Sequence, residues 1–343
     1  MALRAVVVCV AVLECGIRAA ESGHVALDRG AAEKMAAADY RGAAALERRA
    51  ISMARAEVAG RRDTVLAAYL ARLGQIDREL ALLDEAKSAL DEAVRIYESA
   101  SPPDSLALAS ALNNLGTVHH AFRRHAEAQK SFEGAITLFE GIEPAQPRRL
   151  SFALNNLASV YESQRRFGPA IELYERALTL LAPGDPTRAG TLNNLAGARR
   201  ALGDYAGAET GYRDAADLWS RSLGLTHPNV AVPLGNLGSL YFKLGRFEDA
   251  ERLYRQSIAI LTENYGEDHP DLARRTSDYA TVLVKLHRDG EAKAARQRAP
   301  TLRTPTARIP RPARSPSASA PDSRYGRPAP ISELHVHIHG RRS

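Results

Sequence analysis

Near the C-terminal end of this chain three histidines, His335, His337 and His339, alternate with Val336 and Ile338. In an extended strand that spacing puts three imidazoles on one face. Imidazole is a good ligand for Zn²⁺, Ni²⁺ or Cu²⁺. An exposed, floppy triplet with nothing packed behind it to orient the rings would hold a metal weakly. An edge strand pairing with a partner, or an unspecialised terminus, reads better from the same residues. The triplet is a weak metal candidate, and no cofactor is assigned.

Amides form the second recurrent chemical group. Four segments are nearly alike: ALNNLGTVH (111–119), ALNNLASVY (153–161), TLNNLAGAR (191–199) and PLGNLGSLY (233–241). Their shared Asn falls at Asn114, Asn156, Asn194 and Asn236, in steps of 42, 38 and 42. A further 42 lands on Asp278, and 42 backwards lands on Arg72, where Leu73-Gly74 matches Leu115-Gly116. A weaker unit precedes, ADYRGAAALERRAI (38–51), which copies GDYAGAETGYRDAA (203–216). A period of this length is the mark of a repeat architecture.

The elements that carry these groups are helix pairs. Leu154, Leu157, Ala158 and Tyr161 recur at i, i+3, i+4 and i+7, one face of a helix. After a turn at Arg165-Arg166-Phe167, the residues Ala170, Tyr174 and Ala177 form the inward face of a second helix. The same small–aromatic–small trio returns as Ala128/Phe132/Ala135 and Ala208/Tyr212/Ala215. Gly203 and Gly245 suit a left-handed turn between the helices, and Gly224 and Gly266 suit helix ends. Asp104-Ser105, Asp185-Pro186, His227-Pro228 and Asp268-His269-Pro270 read as helix starts. His227 and His269 are therefore expected to cap helices rather than bind metal or catalyse.

The Leu…Leu-Gly/Ala…Tyr then Ala…Tyr/Phe…Ala pattern resembles the tetratricopeptide repeat. The 42-residue period, the LNNLA box and the Gly-x-x-His-Pro links look like its kinesin-light-chain-type variant. The resemblance covers about residues 24–299. It implies an all-α fold: a right-handed superhelical solenoid of about six to seven tetratricopeptide-like helix pairs, followed by a disordered C-terminal tail. The expected units are about 24–54, 63–98, 105–141, 148–182, 186–222, 229–263 and 271–299. Residues 24–54 lack the LNNL box, and the last unit has Tyr279 for Leu and Arg296 for the aromatic. A polar terminal helix suits a cap, beyond which nothing packs. No heptad coiled coil precedes the repeats, so a motor-adaptor role is not implied.

In such a solenoid the first helices line a concave groove. With Leu112 and Leu115 packing inward, positions one and five beyond Leu112 lie some 100–140° around the helix. These are Asn113 and Thr117, then Asn155 and Ser159, Asn193 and Gly197, Gly235 and Ser239, Ser277 and Thr281. One turn on come His120, Glu162, Arg200 and Phe242. Asn can pair with the backbone of an extended peptide whatever its side chains. Kinesin-light-chain-like repeats use groove Asn in this way, and Asn113, Asn155 and Asn193 match those positions. The alternative use of such Asn pairs is hydrogen bonding between adjacent repeats. The carboxylate-clamping groove of co-chaperone repeats needs Lys and Arg where this chain has mostly Asn, Ser and Thr.

Charge sharpens the division. The chain has 46 Lys+Arg against 40 Asp+Glu, a net charge of +6 over 343 residues. Residues 299–343 hold eight Arg against Asp322 and Glu333, which leaves 38 basic and 38 acidic residues in the body. The Pro- and Arg-rich tail could tether the protein to an anionic surface, whether acidic protein, lipid or nucleic acid, with the solenoid as spacer. It carries no motif for specific nucleic-acid reading. The first twenty residues join Arg4, an apolar Ala5–Leu13 core and Ala19-Ala20 in the manner of a signal peptide. Export to a periplasm or beyond is therefore expected, with a cytoplasmic location as the alternative. The only two cysteines, Cys9 and Cys15, lie in that segment, so no disulfide framework or cysteine zinc site is expected. No apolar run is long enough for a transmembrane helix. The chain lacks a phosphate-binding Gly loop, a His-Glu-x-x-His and a Gly-x-Ser-x-Gly. The leading reading is a non-catalytic scaffold that binds a peptide segment or partner protein, with self-association as a further form of partnership.

Overall fold

The computed structural model describes residues 23–57, 64–266 and 270–298. Among these it contains fourteen helices and no strand. They succeed one another in pairs: α1 (Gly23–Ala36) and α2 (Tyr40–Glu57), α3 (Thr64–Glu79) and α4 (Leu83–Glu98), α5 (Ser105–Ala121) and α6 (His125–Glu140). Then come α7 (Pro147–Ser163) and α8 (Phe167–Thr179), α9 (Arg188–Leu202) and α10 (Tyr205–Leu223), α11 (Pro228–Lys243) and α12 (Phe247–Tyr265), α13 (Pro270–Lys285) and α14 (Asp289–Arg298). The expected all-α architecture of about six to seven helix pairs is observed, with seven pairs among the described residues. The expected leader, the tail with its histidine triplet, and His269 lie outside the described residues.

Two compact units divide the chain, one running to Arg149 and the other beginning at Leu150. The core of the first joins Ala43, Ile51, Leu66, Leu70, Ile76, Leu90, Val94, Tyr97 and Leu115, drawn from α2 to α5. In the second, Ala196, Tyr212, Leu240, Tyr241, Leu253, Tyr254 and Val282 form one cluster. Trp219, Val230, Ile260 and Leu272 form another.

One backbone device closes the first helix of every pair. Ala38, Ala81, Arg123, Arg165, Gly203, Gly245 and His287 all have positive φ, between 57° and 87°. Each opens the same two-bond closure. At Arg165, for example, its own N–H donates to Glu162 O at 2.8 Å and the Arg166 N–H donates to Tyr161 O at 2.8 Å. The glycine signal in the sequence found two of these seven turns. At the other five a side chain tolerates the left-handed conformation because the two backbone bonds and the packing of the next helix fix it.

Helix starts follow the sequence expectation in part. Asp104 accepts from Ala107 N at 2.9 Å, and His227 Nδ1 accepts from Asn229 N at 3.2 Å, so both cap. Asp185 acts one step early: it accepts from Thr187 N at 2.9 Å in the link, and α9 begins only at Arg188. Arg188 in turn donates to the carbonyls of Leu178 and Leu181 at the end of α8. The short 38-residue step between Asn156 and Asn194 arises in this pair: α8 has 13 residues, against 16 in α6 and 19 in α10.

Packing within pairs explains the trios. Ala170, Tyr174 and Ala177 are fully buried, as are Ala208, Ala215, Ala128 and Ala135, with Phe132 and Tyr212 at 1% exposure. Small residues on the first helix receive the rings. A Cβ on Gly116 would lie 2.7 Å from the Phe132 ring, whereas one on Gly238 would lie 3.3 Å from that of Tyr254.

Candidate interaction face

The second unit wires its amides together. Asn194 Nδ2 donates to Asn155 Oδ1 at 3.3 Å, and Asn193 Nδ2 donates to Asn194 Oδ1 at 3.3 Å. Asn236 Nδ2 donates to Asn193 Oδ1 at 3.0 Å, and Arg275 Nη2 donates to Asn236 Oδ1 at 3.1 Å. The result is one chain of hydrogen bonds from α7 through α9 and α11 to α13. The four amides are half-buried, while Arg275 is only 3% exposed. Its guanidinium lies against Gly235, where a Cβ would strike it. Burial holds the Arg275 pKa below the usual guanidinium value.

Asn155 and Asn193 thus serve the contact between repeats, and both remain half-buried. An amide has two donor hydrogens and two acceptor lone pairs. In the ladder Asn193 spends one of each. The amides are therefore oriented, and capacity is left on the face that is not buried.

A second row runs beside the first. Ser159 Oγ lies 3.1 Å from Tyr174 Oη, and Ser239 Oγ lies 2.8 Å from Tyr254 Oη. Ser159 and Thr281 also donate to the carbonyl one turn back, at Asn155 and Ser277, at 3.1 and 3.0 Å. Tyr174 Oη further donates to Glu162 Oε2 at 3.1 Å. Burial pushes the Glu162 carboxyl upward, while the Tyr174 bond and Arg200 pull it back. Gly197 stands where Thr117, Ser159, Ser239 and Thr281 carry a hydroxyl; burial raises the Tyr212 pKa, and the Arg200 cation opposes that rise. Phe242 is half-buried, its ring 5.6 Å from that of Phe247. Ser277 and Thr281 are exposed.

In the first unit, Asn113, Thr117 and His120 are half-buried on α5, and Asn114 is buried. Thr117 donates to Asn113 O at 3.0 Å. His120 lies 5.9 Å from His125 between ring centres, and burial, then His125 and Arg123, lower its pKa. Among the described residues no group of three or more His, Cys, Asp or Glu could hold a metal ion.

Sequence reasoning missed a buried charge cluster in this unit. Arg72, at the Asn register of α3, is 5% exposed and lies 2.6 Å from Asp28 Oδ1. Glu47 of α2 is fully buried with neither carboxylate oxygen hydrogen-bonded. Burial, opposed by Arg72 and reinforced by Asp28, raises its pKa to about 8. The period places Arg72 at the register of the amides, but nothing local marks Glu47 or Asp28.

Comparison with known proteins agrees with this architecture. Tetratricopeptide-repeat models match residues 57–141, 187–263 and 239–302, and another matches 153–189, which together exceed half of the chain. The chain belongs to the tetratricopeptide-repeat family. The crystal structure of BtubC (BKLC) from P. vanneervenii is similar at 23% identity and a TM-score of 0.56, over 72% of this chain and 98% of that one. The STAND protein PH0952 from Pyrococcus horikoshii, described with a tetratricopeptide repeat sensor, is similar at 17% identity and a TM-score of 0.62. That match covers 81% of this chain and 42% of that one. A putative kinesin light chain from Podosopora anserina, with nearly identical TPR-like repeats, matches at 19% identity and a TM-score of 0.48, over 57% and 93%. No curated protein matches the chain. The repeats are tetratricopeptide repeats. This fold is typically a non-catalytic module for binding other proteins, and the chain is an interaction scaffold in that general sense. Among the described residues no helix is long and apolar enough to cross a membrane.

Proposed function

We propose that the protein is a non-catalytic scaffold whose first-helix face in the second unit binds an extended peptide segment of a partner protein. The observation that carries this reading is the hydrogen-bonded amide ladder from Asn155 through Asn194, Asn193 and Asn236 to Arg275. The ladder holds neutral donors and acceptors at a fixed orientation before any ligand arrives. Preorganised groups of this kind lose little freedom on binding. An extended backbone, with its alternating N–H and C=O, is the ligand that such a row can satisfy.

The test is affinity capture with the intact protein, a form truncated after Ala299, and Asn155→Ala combined with Asn193→Ala. Loss of captured proteins in the double variant, with circular dichroism unchanged, is the expected result. Loss on truncation alone would transfer the function to the tail and its anionic partners.

A further inference from the structure

The last helix pair is short on one side. Helices α10 and α12 each have 19 residues, but α14 has only 10. Pro300 accounts for the stop, since proline offers no N–H and its ring crowds the carbonyl four residues back, that of Arg296. The surface that a longer helix would cover is an open cleft of about 1020 Å³. Ile258, Ala259 and Thr262 line it from α12, Leu272 and Thr276 from α13, and Gln297 from the end of α14. Ile258 is half-buried, and Ala259 and Thr262 are exposed.

Register says what belongs there. Leu218 of α10 and Ile260 of α12 stand 42 residues apart, are each 8% exposed, and share one apolar cluster with Leu272. A further 42 residues reaches Leu302, beyond the end of α14 at Arg298. The apolar series of the second helices therefore continues in sequence past the last helix itself. A continued helix would carry Leu302 only about 6 Å beyond Arg298, and Pro300 bars it. An extended chain spans up to about 13 Å over the same residues, and the position before a proline favours that conformation.

We propose that residues 299–309 cross this cleft as an extended strap, with Leu302 in the place that Ile260 takes one pair earlier. Leu302 and Ile309 are the large apolar side chains of that segment, set among Thr and Pro. The cleft offers the matching chemistry, aliphatic surface at Ile258 and Leu272 beside the hydroxyls of Thr262 and Thr276. A separate partner would have to bring such groups from solution. The tail brings them tethered to Arg298, at a high effective concentration. Arg311 and the later arginines would then leave the protein from beside α12 and α13.

The test uses the full chain in three forms: the parent, Leu302→Asp and the conservative Leu302→Ile. Hydrogen–deuterium exchange is expected to be about threefold or more faster in Leu302→Asp over 258–265 and 272–276, with α9 and α10 unchanged. Leu302→Ile should match the parent. A fluorescein-labelled peptide of residues 299–312 should bind Leu302→Asp about tenfold or more tightly than the parent, whose own strap competes for the cleft. Equal exchange in the parent and Leu302→Asp, or equal peptide affinity, would overturn the strap. Protection of the cleft that rises with protein concentration would overturn it too, by assigning the cleft to a second copy of the chain.

Discussion

Glu47 is a fully buried carboxyl group with neither oxygen hydrogen-bonded, acted on by a cation, Arg72, and a second acid, Asp28. Ionisation there costs far more than in the unfolded chain, so burial raises its pKa from 4.5 to about 8. A raised carboxyl pKa means that the folded state keeps a proton that the unfolded state releases. Its contribution to stability is therefore full below about pH 4.5 and is lost as pH rises towards 8. Asp28 and Arg72 are the charged groups acting on it, and its first-unit neighbours hold the Arg72–Asp28 contact at 2.6 Å. Glu47→Gln keeps the shape and cannot ionise. Denaturant midpoints measured from pH 5 to 9 are expected to fall less steeply in that variant than in the parent. Equal slopes would show that Glu47 is ionised without penalty. None of this was legible in the sequence, because Glu47 lies on an ordinary-looking helix and its burial depends on α1 and α3.

Element-scale behaviour is set by the turn that closes each first helix. Gly203 and Gly245 occupy it at φ 87° and 76°, and Arg165 at 60°. A side chain in this conformation costs about 1 kcal/mol or somewhat more. Arg165→Gly is expected to stabilise the second unit by roughly 0.5–1 kcal/mol, less the entropy that glycine adds to the unfolded chain. Gly245→Ala should destabilise it by about 1 kcal/mol. Chemical denaturation of both variants checks the pair, and shifts of the same sign would refute the assignment. Packing gives a second element-scale prediction. Gly116→Ala drives a methyl to within 2.7 Å of the Phe132 ring. Overpacking of this kind costs about 1–3 kcal/mol, partly offset by the better helix propensity of alanine, so a net loss near 1 kcal/mol is expected. Ala158 and Ala196 stand at the same register opposite Tyr174 and Tyr212 and are fully buried there. The period made these positions visible from the sequence; the distance that makes one of them intolerant was not.

Over the whole molecule, charge separates two modes of binding. The chain outside 299–343 balances 38 basic against 38 acidic residues, and the ladder is built from neutral amides with one buried arginine. Peptide binding to this face should therefore change by less than about twofold between roughly 0.05 and 0.5 M salt. It should also survive truncation after Ala299. Binding measured by fluorescence anisotropy with a peptide from a captured partner checks both points. A steep salt dependence, lost with the tail, would instead mark the eight arginines as the contact.

The sequence by itself determined the repeat, its period, the helix pairing and the register of the amides. All of these are periodic, and periodicity is carried by residue type and spacing alone. It also located the short unit, since the 38-residue step is written in the numbering and α8 absorbs it. What only the tertiary structure decided is how each registered residue is used. The same register holds Arg72 in an ion pair with Asp28, Asn194 in a hydrogen bond to the Asn155 side chain, and Asn236 between Asn193 and Arg275. A side chain's partner is the group that the neighbouring helix brings within about 3 Å. That neighbour lies some forty positions away along the chain, where no local pattern can name it.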